Sequence, residues 1–91
     1  MGLEWDPKKA ESNYRKHGVR FSETEPAFED DLALTIPDAD SDPEEVRFVS
    51  IGMGAMARVL VVVYAYRESN IRIISARLAA PHERAAYEEA R

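Results

Sequence analysis

Between Val46 and Leu78 the chain carries three short runs, VRFVSIG, RVLVVVYAY and IRIISARL, each dense in valine, isoleucine and aromatic residues. Gly-Met-Gly-Ala-Met separates the first two and Arg-Glu-Ser-Asn the last two. Runs of this length and composition, bounded by turn residues, are strands, and loops this short make consecutive strands antiparallel neighbours. The rest of the fold must be hung on a three-stranded meander. With loops at 52–57 and 67–70, Arg47 is expected opposite Val62, Val49 opposite Leu60 and Ile51 opposite Arg58. In the second hairpin Tyr66 is expected opposite Ile71, Tyr64 opposite Ile73, Val62 opposite Ser75 and Leu60 opposite Arg77. Because side chains alternate along a strand, one face then collects Val46, Phe48, Ser50, Val59, Val61, Val63, Ala65, Ile74, Ala76 and Leu78, with Arg72 its single charge. That face is expected to be buried. The other gathers Arg47, Arg58, Tyr64, Tyr66, Ser75 and Arg77 among aliphatic residues, and chemistry is expected there.

Asp6-Pro7 opens a helix, since Asp accepts from orphan backbone donors and Pro at the first position gives up no needed hydrogen bond. Basic residues and a glycine, Lys16-His17-Gly18, close it, so the first helix spans Pro7 to His17. Ser22-Glu23-Thr24-Glu25 has a capping-box pattern and predicts a second short helix reaching Phe28. Leu32 to Ile36 reads as an edge strand ended by Pro37, and 38–45 as an acidic loop. After the meander Pro81 begins a last helix with a poor cap, Ala80, before it. The expected fold is α+β: two N-terminal helices, a four-stranded antiparallel sheet and a C-terminal helix.

At 91 residues the chain makes one domain, 1–91. Cysteine is absent, which removes disulfides, thiolate metal sites and thiol nucleophiles and fits a reducing, cytoplasmic setting. The longest apolar run, Val59 to Ala65, is far too short to span a bilayer, so no membrane partner is expected. The net charge of −5 misleads: Ser22 to Glu45 holds ten acidic residues and no Lys or Arg, and the remainder balances to +5. An acidic flank therefore stands beside a mildly basic body.

Arg58 and Arg77, with Arg47 and Ser75 nearby, make a natural phosphate site on the exposed face, because each guanidinium presents a fixed fork of donors and keeps its charge. The alternative is pairing with acids such as Glu83 or the Asp40 loop. Tyr64 and Tyr66 suit base stacking, or Tyr64 a hydrogen bond to a reacting oxygen. His17 and His82 are too isolated to argue for a metal, and neither metal nor cofactor is expected.

Trp5-Asp6-Pro7-Lys8-Lys9-Ala10, Asn13 through Lys16-His17-Gly18-Val19, then Phe21, Phe28, Asp30, Asp31, Arg47, Gly52, Arg58 and Ile71-Arg72-Ile73-Ile74-Ser75-Ala76-Arg77 resemble the BrnT toxins of bacterial type II toxin–antitoxin systems. The resemblance covers almost the whole chain. It implies a RelE/ParE-like fold and a metal-independent ribonuclease that inhibits translation. It also implies neutralisation by a cognate BrnA-like antitoxin, whose ribbon-helix-helix part carries the complex to operator DNA. Arg58 and Arg77 are then expected to be catalytic, with Tyr64 or His17 moving protons, and Lys16, Arg47, Tyr66 and Ser75 to bind RNA. A second reading makes the chain chiefly a toxin-fold subunit acting by antitoxin binding and operon repression, and a third an inhibitor of a protein such as gyrase. Fold alone does not choose among them.

Overall fold

The structure, a computed structural model, describes residues 2–89. Helix α1 (Pro7–His17) has the bounds its sequence requires. The Asp6 carboxylate accepts from the Lys8 N–H at 2.8 Å, and Gly18, at φ 69°, donates to the Tyr14 carbonyl at 2.8 Å. The next segment is a 3-10 turn (Phe21–Thr24) running into the single α-helical turn α2 (Glu25–Phe28). Its cap is Glu23 rather than Ser22: one Glu23 carboxylate oxygen accepts from the Arg20 N–H at 2.8 Å. Helix α3 (Pro81–Glu89) solves its poor cap in the same way, with Glu83 accepting from the Ala80 N–H at 2.8 Å.

The sheet has five strands, β1 (Leu3–Glu4), β2 (Leu34–Pro37), β3 (Arg47–Met53), β4 (Val59–Arg67) and β5 (Asn70–Leu78), in the order β1-β5-β4-β3-β2. β2 to β5 are antiparallel neighbours, but β1 lies parallel to β5, pairing Leu3 with Ile71. The expected four-stranded antiparallel sheet is thus a five-stranded mixed one, with three helices among the described residues. The two residues of β1 are too few to show a period, which is why the sequence does not announce them. Pro37 does end an edge strand, β2.

The register also departs from expectation. β3 continues through Met53, so Val49 faces Val63 and Ile51 faces Val61. The turn occupies 54–58, where Met56 and Ala57 take positive φ of 60° and 55°. A shift of three residues inverts β3 relative to β4. A bulge between Val63 and Tyr64 then slips β5, placing Ser75 opposite Val63 and Arg77 opposite Val61, while Tyr64 and Tyr66 keep Ile73 and Ile71.

As a result both faces are covered. Leu60, Val62, Tyr64, Ile71, Ile73 and Ala76 form the main core with Val19 and Phe21, beneath α1 and the 3-10 turn. Val59 and Val61 form a second core with Ala79 and Tyr87, beneath α3. The face expected to carry chemistry is therefore mostly the main core. Burial of apolar strand residues against helices on both sides, rather than a bare catalytic sheet, is what the Val-rich β4 sequence demanded.

Candidate functional site

Asn13 sets the geometry of the most basic depression. From the buried side of α1 its amide donates to the Ala76 carbonyl at 2.8 Å and to the Val19 carbonyl at 3.0 Å, and its oxygen accepts from the Ala76 N–H at 3.1 Å. The side chain completes the ladder that β1, spanning only two residues, leaves unfinished on β5. Helix α1 is thereby locked along the β5 edge. Lys9, Ser12, Lys16 and His17 line a shallow groove of about 190 Å3 with Ile74 and Ser75. Lys9, Ser12 and Lys16 meet there because residues three and four apart share a helix face.

Arg77 follows Ser75 by two residues on the same face of β5. Its fork donates to both Glu83 oxygens, at 2.7 and 2.9 Å, and to the Leu78 carbonyl at 3.3 Å. This hydrogen-bonded pair holds the Glu83 carboxyl down at about 2, helped by the Ala80 N–H, and raises Arg77 above its ordinary value. The guanidinium is fixed in place, and its Nε–H and one terminal N–H remain for another acceptor.

Arg58 lies on the other side of the sheet. It donates to the Gly18 carbonyl at 3.2 Å, and its Nε stands 3.6 Å from a Glu23 oxygen, an ion pair without a hydrogen bond. With Arg84, Glu88, Leu78, Val59, Met53 and Ala57 it lines a cleft of about 400 Å3 at the end of the sheet. Ser75 in the groove and Leu78 in the cleft are three residues apart on β5, about 10 Å. Arg77 sits between them, so the two depressions flank the same strand end.

Among the residues singled out from sequence, Lys16, His17 and Ser75 come together, with Arg77 next to them. Arg58 joins only across the strand end. Tyr64 is 4 % exposed, inside the main core; its hydroxyl hydrogen-bonds Ser50 at 3.0 Å, and its ring packs edge-on to Phe28 at 4.9 Å. Tyr66 is 55 % exposed, with its hydroxyl pushed up by partial burial and by Tyr64, but it lies at the opposite end of β4. Arg47 is at that same far end, 3.6 Å from Glu45. These three residues do not share the groove. Lys9 and Ser12 were missed, although their helical spacing from Lys16 was the available signal. Arg84 had none, because the cleft exists only through the packing of α3. Among the described residues no group of three or more His, Asp or Glu side chains could hold a metal ion.

A family model described as the ribonuclease toxin BrnT of type II toxin–antitoxin systems matches residues 5–83. Among solved structures, the 1.1 Å crystal structure of the Brucella abortus ribonuclease toxin BrnT is 28 % identical and superposes with a TM-score of 0.71, over 88 % of this chain and 97 % of that one. No curated protein sequence matches significantly.

Proposed function

The chain belongs to the BrnT family of ribonuclease toxins of type II toxin–antitoxin systems, and from that premise we propose that it cuts RNA, without a metal, along the groove between α1 and β5. The observation that carries this reading is the convergence of Lys16 and His17 with Ser75, beside a guanidinium, Arg77, that Glu83 holds rigid. In the reaction a ribose 2′-OH attacks the adjacent phosphorus and the bond to the 5′ oxygen breaks, leaving a 2′,3′-cyclic phosphate. The 2′ proton goes to a base and the leaving oxygen takes one from an acid. Arg77 stabilises the charge that builds on the phosphoryl oxygens, because a fixed cation aimed at developing charge costs no reorganisation during the step. Ser75 orients the phosphate and His17 handles a proton. Lys9 and Lys16 hold the RNA backbone as point charges. Arg58 and Arg84 receive the strand where it passes the end of β5. Tyr64, whose hydroxyl is inside the core, takes no part in proton transfer.

Cleavage in the cytoplasm would inhibit translation until an antitoxin with a ribbon-helix-helix part binds the toxin and brings it to operator DNA. The test is cleavage of a long single-stranded RNA in EDTA by the parent protein and by Arg77→Ala. The parent should cut, and the variant should lose on the order of a hundredfold or more with its circular dichroism spectrum unchanged. Equal cleavage by both sinks the assignment. A second reading, a subunit acting mainly through antitoxin binding and repression, draws on the acidic segment and on the neutralisation of Arg77 by Glu83. Antitoxin binding without cleavage by the parent would favour it.

A further inference from the structure

The far end of the sheet from the groove carries a surface of a different character. At one end of the main-core face Ile71 and Tyr64 are buried but Tyr66 is exposed. Leu3 and Tyr66 both pair with Ile71, so the three residues form a row across β1, β5 and β4. Val46, 54 % exposed, extends the row on the far side of β4. Rings join this row into one apolar body: Phe48 meets Tyr66 at 5.6 Å and Tyr64 at 5.9 Å, and Phe28 meets Tyr64 at 4.9 Å. Two depressions open on it, one of about 640 Å3 lined by Val46, Phe48 and Tyr66, the other of about 390 Å3 lined by Leu3, Phe28 and Ile71. Carboxylates stand at both: Glu44 and Glu45 at the first, Glu25 and Glu29 at the second, with Arg67 the one cation lining either. All four glutamates are exposed.

We propose that this aromatic surface and its four glutamates are the docking site for a basic, amphipathic segment of the antitoxin, an inference that rests on the toxin reading above. Exposed Tyr66 and Val46 over half-buried rings, with a rim that is mainly carboxylate although Arg47 stands 3.6 Å from Glu45, fit a partner with an apolar anchor and lysine or arginine on either side. RNA is the wrong partner for it, since four carboxylates repel phosphate. The surface lies about 20 Å along β5 from Arg77, measured from Ile71, and about 10 Å from Ile74 at the near edge of the groove.

The experiment measures binding of the 91-residue chain to a BrnA-like antitoxin with a ribbon-helix-helix part, by calorimetry at 0.1 and 0.5 M salt. It is repeated with the quadruple variant Glu25→Lys/Glu29→Lys/Glu44→Lys/Glu45→Lys. Exposed charge pairs each contribute roughly a factor of two, so the variant should bind at least tenfold more weakly, and the parent should weaken in high salt. RNA cleavage by the variant should match the parent, which shows that it folds. Undiminished binding by the variant overturns the surface while the antitoxin reading stands. Failure of the parent to bind the antitoxin overturns both. Dimers of the parent in sedimentation that the four substitutions dissolve assign the surface to a second copy of this chain and likewise overturn the proposal.

Discussion

The side-chain amide of Asn13 occupies the position of a neighbouring strand's peptide group, exchanging two hydrogen bonds with Ala76 and giving a third to Val19. All of these groups are buried, so losing the amide leaves them short of partners. Asn13→Ala should therefore cost about 3 kcal/mol, less than the sum of three unsatisfied groups because such losses are not additive. For a chain of this size that is a fall in Tm of very roughly 15 °C, readable by thermal unfolding. A loss below about 1 kcal/mol in urea titration would show that the ladder closes without it. Glu83 makes a prediction of a different kind. Its carboxyl is held at about 2 against an ordinary 4.5, mainly by the Arg77 hydrogen bonds. The folded state thus binds this proton less readily than the unfolded one. The stabilisation is whole above about pH 4.5 and is lost as pH falls toward 2. Glu83→Gln should flatten the stability profile in that window while leaving its shape above it unchanged. In Arg77→Ala, carboxyl NMR should find the Glu83 titration moved back up toward 4.5.

At the scale of elements, the hairpin between β3 and β4 decides which residues share a face. It is seated by Gly54, where an added Cβ would stand 2.4 Å from Leu60 Cδ1 and 2.8 Å from the Glu23 carbonyl oxygen. The carbonyl belongs to the 3-10 turn and cannot rotate away. Gly54→Ala should therefore destabilise by about 1–3 kcal/mol, the cost of overpacking, and denaturant unfolding measures it directly. A neutral result would mean that the turn tip is not pressed against the 3-10 turn. The same hairpin explains what the sequence did and did not disclose. Helix α1 was legible to the residue because Asp6, Pro7 and Gly18 act locally. The three long strands were legible because Val and Ile alternate with breakers on either side. Their relative faces were not, since Met56 and Ala57 adopt left-handed backbone that neither residue advertises, and the bulge beside Tyr64 follows from packing of β4 against β5. The three-residue displacement at the turn moved Arg47, Val49 and Ile51 to the other face, and the one-residue slip at the bulge set Arg77 apart from Arg58, whereas Tyr64 kept its face and is buried because that face is the main core. Lys16 and His17 meet Ser75 because α1 is fixed to β5 through Asn13, a contact between elements that the sequence pattern had not placed side by side. Arg84 came into reach of Arg58 only through the docking of α3.

Across the whole molecule, charge is divided between the two ends of β5. The groove with Lys9, Lys16 and Arg77 lies toward one end, and the glutamates around Tyr66 and Ile71 lie at the other. Arg77 and Ile71 stand six residues, about 20 Å, apart along β5, more than two Debye lengths at 0.15 M salt, where that length is about 8 Å. Each field therefore acts on its own partner, and the net charge of −5 describes neither. On the proposed ribonuclease reading, an acidic protein holds RNA because the phosphates meet the basic end. Single-stranded RNA releases about 0.7 counterion per neutralised phosphate. Three to five contacts from Lys9, Lys16, Arg77, Arg58 and Arg84 give a slope of log K against log salt of about −2 to −3.5. Lys9→Ala/Lys16→Ala should reduce that slope by about 1.4, two contacts' worth, measured by fluorescence anisotropy of a labelled oligonucleotide. The slope should not move in Glu25→Lys/Glu29→Lys, whose new charges line the depression at Ile71 and not the groove. If those distant lysines steepen it as much as the groove lysines flatten it, RNA is tracking the molecule's total charge, and the groove between α1 and β5 is not where the strand lies.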